Sequence, residues 1–426
     1  MVDVLIGTPR QAIRLGIDIN SPETWVNPSC SKFPGLVAEG CIATGIYDPD
    51  ESETSSTDLG LDEETITYAR GASATFDYVK DEIHIPGNKT HLSTTITDFQ
   101  FGVAKDTDNL FTGILGLGRG NNQSALGGNS FLDRLWLQMD QSEAMRIFSM
   151  ALGDDTKNET GSLIFGGLDN SKFTGHLVSI PVHERSSRGY VLKPSGFVWN
   201  SRTPAFDIHS NLSTQVPAEI LLNATSPRST LSALIVVDIL KTMKVPGFES
   251  MVNPPPGPYM VPCTWKEYTN MTFTFIFERH NRVKMSLGDF IRQIPNTGTC
   301  MLTIEATRSP DEPWVLGSMF FRKFYLVFDH TRDTVSVARY VNCGTDEELI
   351  GINNMYLDHQ GGLHGYNGWC REWEPAPAPT ASPKPSHIVL RPQKTWESYP
   401  FWSGASRAGC WDGLWMGMLA SLLVGL

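Results

Sequence analysis

The residue best placed to do chemistry is Asp18, which ends the apolar run Leu15-Gly16-Ile17 and precedes the turn-formers Asn20-Ser21-Pro22. Such a run reads as a buried strand that delivers one carboxylate to a tight turn, where a charge is costly unless hydrogen-bonded or used. A second run, Ile220-Leu221-Leu222, drives into the polar turn Asn223-Ala224-Thr225-Ser226 in the same manner. The chemistry open to Asp18 turns on whether this second turn brings a carboxylate to meet it. At Asn223 the side chain is an amide, which donates a hydrogen bond but shuttles no proton. Of the nearby acids, Glu219 shares the face of Asn223 but stands roughly 13 Å away at strand rise. Asp207 falls in a loop, and both read as surface charges. The ten His are scattered, with no His-Glu-x-x-His, and no Gly-x-Ser-x-Gly elbow occurs. Neither a metal nor a cofactor is therefore expected, and serine hydrolysis has no support.

These two turns must be held by strands. Residues 4–17 read as two strands around the Gly7-Thr8-Pro9 turn. Ile66-Thr67-Tyr68 and Ala74-Thr75-Phe76 read as a hairpin with Tyr68 near its tip and Gly71 in the turn. Gly113-Ile114-Leu115-Gly116 is an apolar strand cut by glycines, where another backbone must come close. Pro313-Trp314-Val315-Leu316-Gly317 echoes it in the second half, so the plan repeats at an interval of about 200 residues. Helical spacing marks 131–136 and 233–243, and 324–329 with 334–338 reads as a closing hairpin.

At 426 residues, two lobes are the natural reading, and abundant Gly and Pro among alternating β-branched and aromatic runs favour strands and turns. A net charge of −12 argues against nucleic acid, which needs a basic face. Six Asn-x-Ser/Thr sequons point to a glycosylating, oxidising compartment. Five are glycosylation candidates: Asn88, Asn122, Asn158, Asn211 and Asn270; the sixth, at Asn223, is expected to be buried and unmodified. Cys30 and Cys41 enclose a short loop and read as a local disulfide, and Cys263 with Cys300 and Cys343 with Cys370 are the further pairings expected. The C-terminus carries small residues around Ser403 and Gly404, a short spacer and an uncharged run from Gly413 to Leu426, too short to span a bilayer comfortably. That pattern matches a glycolipid-anchor signal, and cleavage near Gly404 would discard Cys410 and leave an even six cysteines. No signal peptide precedes the first strand, so the start is expected to be incomplete.

Several of these motifs together carry a family resemblance. Ile6-Gly7-Thr8-Pro9, Asp18 followed by Ser21 and Trp25-Val26, Tyr68 with Gly71, Gly113-Ile114-Leu115-Gly116-Leu117-Gly118, Phe165-Gly166-Gly167-Leu168-Asp169, Trp314-Val315-Leu316-Gly317 and Phe324-Tyr325-Leu326-Val327-Phe328-Asp329 occur in order. In this the chain resembles the pepsin-like aspartic proteases. The resemblance implies an all-β, bilobal pepsin-like double β-barrel with a central cleft and a few short helices. It implies an N-terminal lobe over residues 1–176, a C-terminal lobe over 177–343, a Pro/Trp-rich linker or stalk over 344–403 and an anchor signal over 404–426.

The family's catalytic triplet is Asp-Thr/Ser-Gly, once per lobe, with hydroxyls that lock the two turns together. Here the triplets read Asp18-Ile19-Asn20 and Asn223-Ala224-Thr225, departing at five of six positions. Ser318 also replaces the aspartate usual after Leu-Gly. Loss of general acid–base catalysis alone costs about 10²–10⁴-fold. The expectation is a secreted or cell-surface, lipid-anchored, monomeric protein of this fold, without endopeptidase activity, whose cleft, with Tyr68, Gly71 and Trp25 at its flap, binds a peptide or protein. The alternatives are an active aspartic endopeptidase working at acid pH and a structural surface protein.

Overall fold

Val2, Val4 and Ile6 are buried and alternate with half-exposed Asp3 and Leu5, so the chain opens as a strand with one face to the core. The computed structural model describes residues 1–68, 71–86, 94–119, 130–138, 146–154, 157, 159–183, 189–200, 211–212, 219–245, 247, 254–255, 257–278, 281–294, 297–350, 363, 366–370 and 388–390. β1 (Val2–Ile6) and β2 (Gln11–Asp18) form an antiparallel hairpin in which Val2 faces Leu15 and Ile6 faces Gln11. Their turn needs Gly7, whose φ is +77° and whose position would put a Cβ 2.6 Å from Ser52 Oγ.

The first seven strands make one sheet. It comprises β1 and β2, then β3 (Trp25–Val26), β4 (Glu64–Thr67), β5 (Ser73–Ile85), β6 (Thr94–Asp108) and β7 (Gly113–Gly116), in the order β1-β2-β7-β3-β6-β5-β4. β1 also pairs with β5, which curls the sheet back on itself. β7 lies parallel to β2, with Asp18 level with Gly116, and antiparallel to β3 through Trp25 and Ile114. The close approach inferred for the glycines is real. A Cβ at Gly113 would meet Trp25 O at 2.6 Å, and one at Gly116 would meet Glu23 O at 2.5 Å.

The second half repeats this crossing. Strand Ile220–Leu222 runs parallel to Trp314–Leu316, and Ser229–Leu231 crosses back against Val315 before pairing with Ile304–Ala306. The helix expected after it spans Ala233–Thr242, capped by the Ser232 side chain on Ile235 N. The helix expected at 131–136 spans Phe131–Gln138 and buries Phe131, Leu132 and Leu135.

A third sheet mixes the two halves. Its order is Asn367–Trp369, Phe173–Pro181, Thr334–Tyr340, Phe324–Asp329, Ile147–Ala151, Ser162–Phe165 and Ile388–Leu390. One apolar cluster runs from Val2 and Leu15 through Phe148 and Leu222 to Val337, so both halves share a core. Residue 176, where the lobes were expected to divide, lies inside the strand Phe173–Pro181 of this sheet.

Disulfides join Cys30–Cys41, Cys263–Cys300 and Cys343–Cys370. The last of these, among the expected pairings, reaches into the stretch over 344–403 read as a linker or stalk. It fastens the stretch back on the body, where Glu347–Leu349 pairs with Gly167–Asp169 and Asn367–Trp369 pairs with Thr174–His176. The proline run at 375–383 and the anchor positions Ser403 and Gly404 lie outside the described residues, as do Asn88, Asn122, Asn158 and Asp207.

Candidate active site

Asp18 is the last residue of β2 and is 7% exposed. Its Oδ1 accepts the backbone N–H of Asn20 at 2.8 Å. Burial pushes its carboxyl up from an ordinary 3.8 to about 6, against the backbone hydrogen bonds from Asn20 and Ser21, which act to lower it. A proton therefore resides on Asp18 across the mildly acid range, which is what an acid–base residue requires.

Asn223 occupies the equivalent place in the second half. In the first turn Gly116 N donates to Thr24 Oγ1 at 3.1 Å; in the second Gly317 N donates to Ser229 Oγ at 3.0 Å. Thr24 and Ser229 each stand six residues beyond Asp18 and Asn223. The Asn223 N–H donates to Leu316 O at 3.0 Å. Its Oδ1 accepts from Thr225 N at 3.0 Å, Thr225 Oγ1 at 2.7 Å and Ser226 N at 3.0 Å. The side-chain oxygen is thus consumed in shaping its own turn, and the free end of the amide is a donor with no ionisable proton. Ser318, at the position where a family aspartate is usual, is buried with no hydrogen-bond partner for its Oγ. Glu219 is half-buried at the start of the strand leading to Asn223, and its carbonyl accepts Trp314 N.

The turns are nonetheless locked together, which the triplets gave no reason to expect. Asn20 Nδ2 donates to Leu222 O at 3.0 Å, Tyr190 N donates to Asn20 Oδ1 at 3.3 Å, and Leu222 N donates to Tyr190 O at 3.0 Å. One amide side chain therefore does across the halves what a hydroxyl was expected to do. Its bulk is accommodated by Gly189, with φ +97°, where a Cβ would fall 2.1 Å from Asn20 Oδ1. Ile19, at the hydroxyl position, is fully buried in the shared core instead. The only sequence signal for this lock was an asparagine where a glycine was expected.

Tyr68 follows β4 at the hairpin tip, and its N–H donates to Ala72 O at 2.7 Å. Gly71 takes the left-handed φ of +78° that this turn requires. Trp25 is fully buried, and its Nε1 donates to the Tyr68 hydroxyl at 2.7 Å. Burial and the charges of Asp18 and Glu23 hold the Tyr68 phenol well above its ordinary value, which places that hydroxyl within electrostatic reach of Asp18. Trp25 thus holds Tyr68 from the core side of the hairpin, with the phenol toward Asp18. Glu23 went unremarked in the sequence. It is 4% exposed, and burial followed by the charge of Glu64 raises its carboxyl to about 7.

Comparison with known proteins agrees with this geometry. The model of the family described as eukaryotic aspartyl protease matches residues 1–340. The chain is 30% identical over 366 residues to "Probable aspartic-type endopeptidase opsB" of Aspergillus oryzae, covering 82% of this chain and 70% of that protein. It is 25% identical to "Aspartic proteinase yapsin-3" of Saccharomyces cerevisiae, covering 82% of this chain and 68% of that one. It is also 25% identical to "Secreted aspartic protease 4" of Candida albicans, covering 82% and 78%. With two equivalent turns, a family match across both and mostly β architecture, the chain belongs to the eukaryotic, pepsin-like aspartyl protease family.

Proposed function

We propose that this protein is a family member without endopeptidase activity whose cleft binds peptide segments. The observation that carries the reading is Asn223: it stands where the second aspartate would, and its oxygen is committed to three donors in its own turn. Asp18 retains the burial and raised pKa of a catalytic carboxyl, yet has no second carboxyl in the equivalent turn with which to share its proton. The lock through Asn20 and the Trp25–Tyr68 bond support a cleft that keeps its shape despite that loss.

The test is a pair of assays on the purified chain: cleavage of a denatured protein between pH 3 and 6, and calorimetric binding of a pepstatin-like peptide. The expected result is binding without cleavage. Acid-pH cleavage that disappears in Asp18→Asn would establish instead the endopeptidase activity that the names of the relatives carry, and neither cleavage nor binding would leave a structural role.

The same proposal places the protein at the cell surface after secretion, as a glycosylated monomer tethered by a lipid at Ser403 or Gly404 through a stalk. The three disulfides and the exposed sequon at Asn270 support the secretory route. No helix among the described residues is long and apolar enough to cross a membrane. Deleting residues 404–426 is expected to release the protein into the medium; continued surface retention would refute the anchor.

A further inference from the structure

Two carboxyls and one phenol meet beneath the hairpin. Tyr78, 3% exposed on β5, places its hydroxyl 3.1 Å from Glu23 Oε2 and 2.7 Å from Glu64 Oε2. Glu64 opens β4, four residues before Tyr68, and Glu23 belongs to the loop between Asp18 and Trp25. A phenol carries a single hydrogen and can donate it to only one oxygen. The second contact becomes a hydrogen bond only when one of the carboxyls brings a proton of its own. The balanced arrangement is a protonated Glu23 donating to the Tyr78 oxygen while Tyr78 donates to an ionised Glu64.

We propose that Glu23, Tyr78 and Glu64 share one such proton and form an acid-pH clasp that positions the Tyr68 hairpin over Asp18. Loss of the proton leaves two carboxylates facing one hydroxyl, and their repulsion acts on β4, the strand that leads into Tyr68. Burial and the charge of Glu64 hold the Glu23 proton up to about 7, so the clasp is closed in acid and released as pH rises past neutrality. Tyr68 lies within electrostatic reach of both Glu23 and Asp18. Lys105 of β6 pairs with Glu63 at 3.0 Å and with Asp77 at 2.7 Å. The floor of the cluster is apolar, with the Phe76 ring edge-on to Tyr78. Glu23, Tyr78 and Glu64 are positioning residues, and the clasp does not depend on whether the cleft retains catalysis.

The test is hydrogen exchange of the full chain followed by mass spectrometry, at pH 5 to 8.5, corrected for intrinsic exchange rates. Protection of the amides at 64–68 and 73–78 is expected to fall by about tenfold or more as pH rises through about 7, the factor that one pKa unit of linkage supplies. Glu23→Gln carries a permanent N–H donor for the Tyr78 oxygen and is expected to flatten the profile, with protection retained at pH 8.5. Should circular dichroism show that Glu23→Gln does not fold, Glu64→Gln, at the half-exposed end, is expected to flatten it equally. A wild-type profile with no step, or the same step in the folded glutamine variant, overturns the proposal. Because the readout is backbone protection, its outcome is separable from that of the cleavage and binding assays.

Discussion

Replacing Asp18 by asparagine tests the electrostatics of the site without reference to any activity. The carboxyl is 7% exposed and its proton affinity is raised from 3.8 to about 6, mainly by burial. That difference is worth ~3 kcal/mol between the protonation states. The sign follows from proton uptake: between about 4 and 6 the folded chain holds more protons at this site than the unfolded chain does. The contribution of Asp18 is therefore fully present below about 4 and is lost as pH rises through about 6. Asparagine keeps an oxygen to accept the Asn20 N–H and removes the charge. Asp18→Asn should match the wild type at pH 4 and exceed it by about 1–3 kcal/mol at pH 8, allowing for imperfect amide packing. Urea unfolding followed by circular dichroism at pH 4, 6 and 8 measures both. Equal stability at pH 8, or a difference that does not change with pH, would refute a buried, proton-holding Asp18.

Three further outcomes follow from named contacts. Asn20→Ala removes the donor to Leu222 O and the acceptor of Tyr190 N, and should lower unfolding stability by about 1–3 kcal/mol in a urea titration. Gly317→Ala would force a Cβ to 2.5 Å from Arg228 O, and should cost about 1–3 kcal/mol by calorimetry or prevent folding, whereas alanine at exposed Gly60, with φ +63° but open space, should cost less. The Cys343–Cys370 bridge closes a separation of 27 residues, so Cys343→Ser with Cys370→Ser should lose about 3–4 kcal/mol in the chain-entropy account and expose residues 347–369 to early proteolysis.

Much of the site was legible because its signals are local. An apolar run ending in one polar residue marks a strand feeding a turn, and it located both Asp18 and Asn223. Glycines inside an apolar run mark backbone approach, and a Cβ at Gly113, Gly116 or Gly317 would fall within 2.7 Å of a backbone atom. The Tyr68 hairpin was legible from alternation and from Gly71, whose positive φ the turn requires.

What the sequence by itself determined is the set of strands, the two turns and the chemical asymmetry between Asp18 and Asn223, because each depends on residue types and their near spacing. Only the tertiary structure decided how the two turns hold each other. Asn20 reads as the loss of a glycine until it is seen donating to Leu222, 202 residues away, beside a glycine at 189 that makes room for it. Glu23 carries no signal in the sequence, and its meaning appears only when folding buries it against Tyr78 and Glu64. The physical reason is common to both. A polar side chain takes its meaning from what desolvates it and what hydrogen-bonds to it, and those partners come from chain segments that only folding brings together.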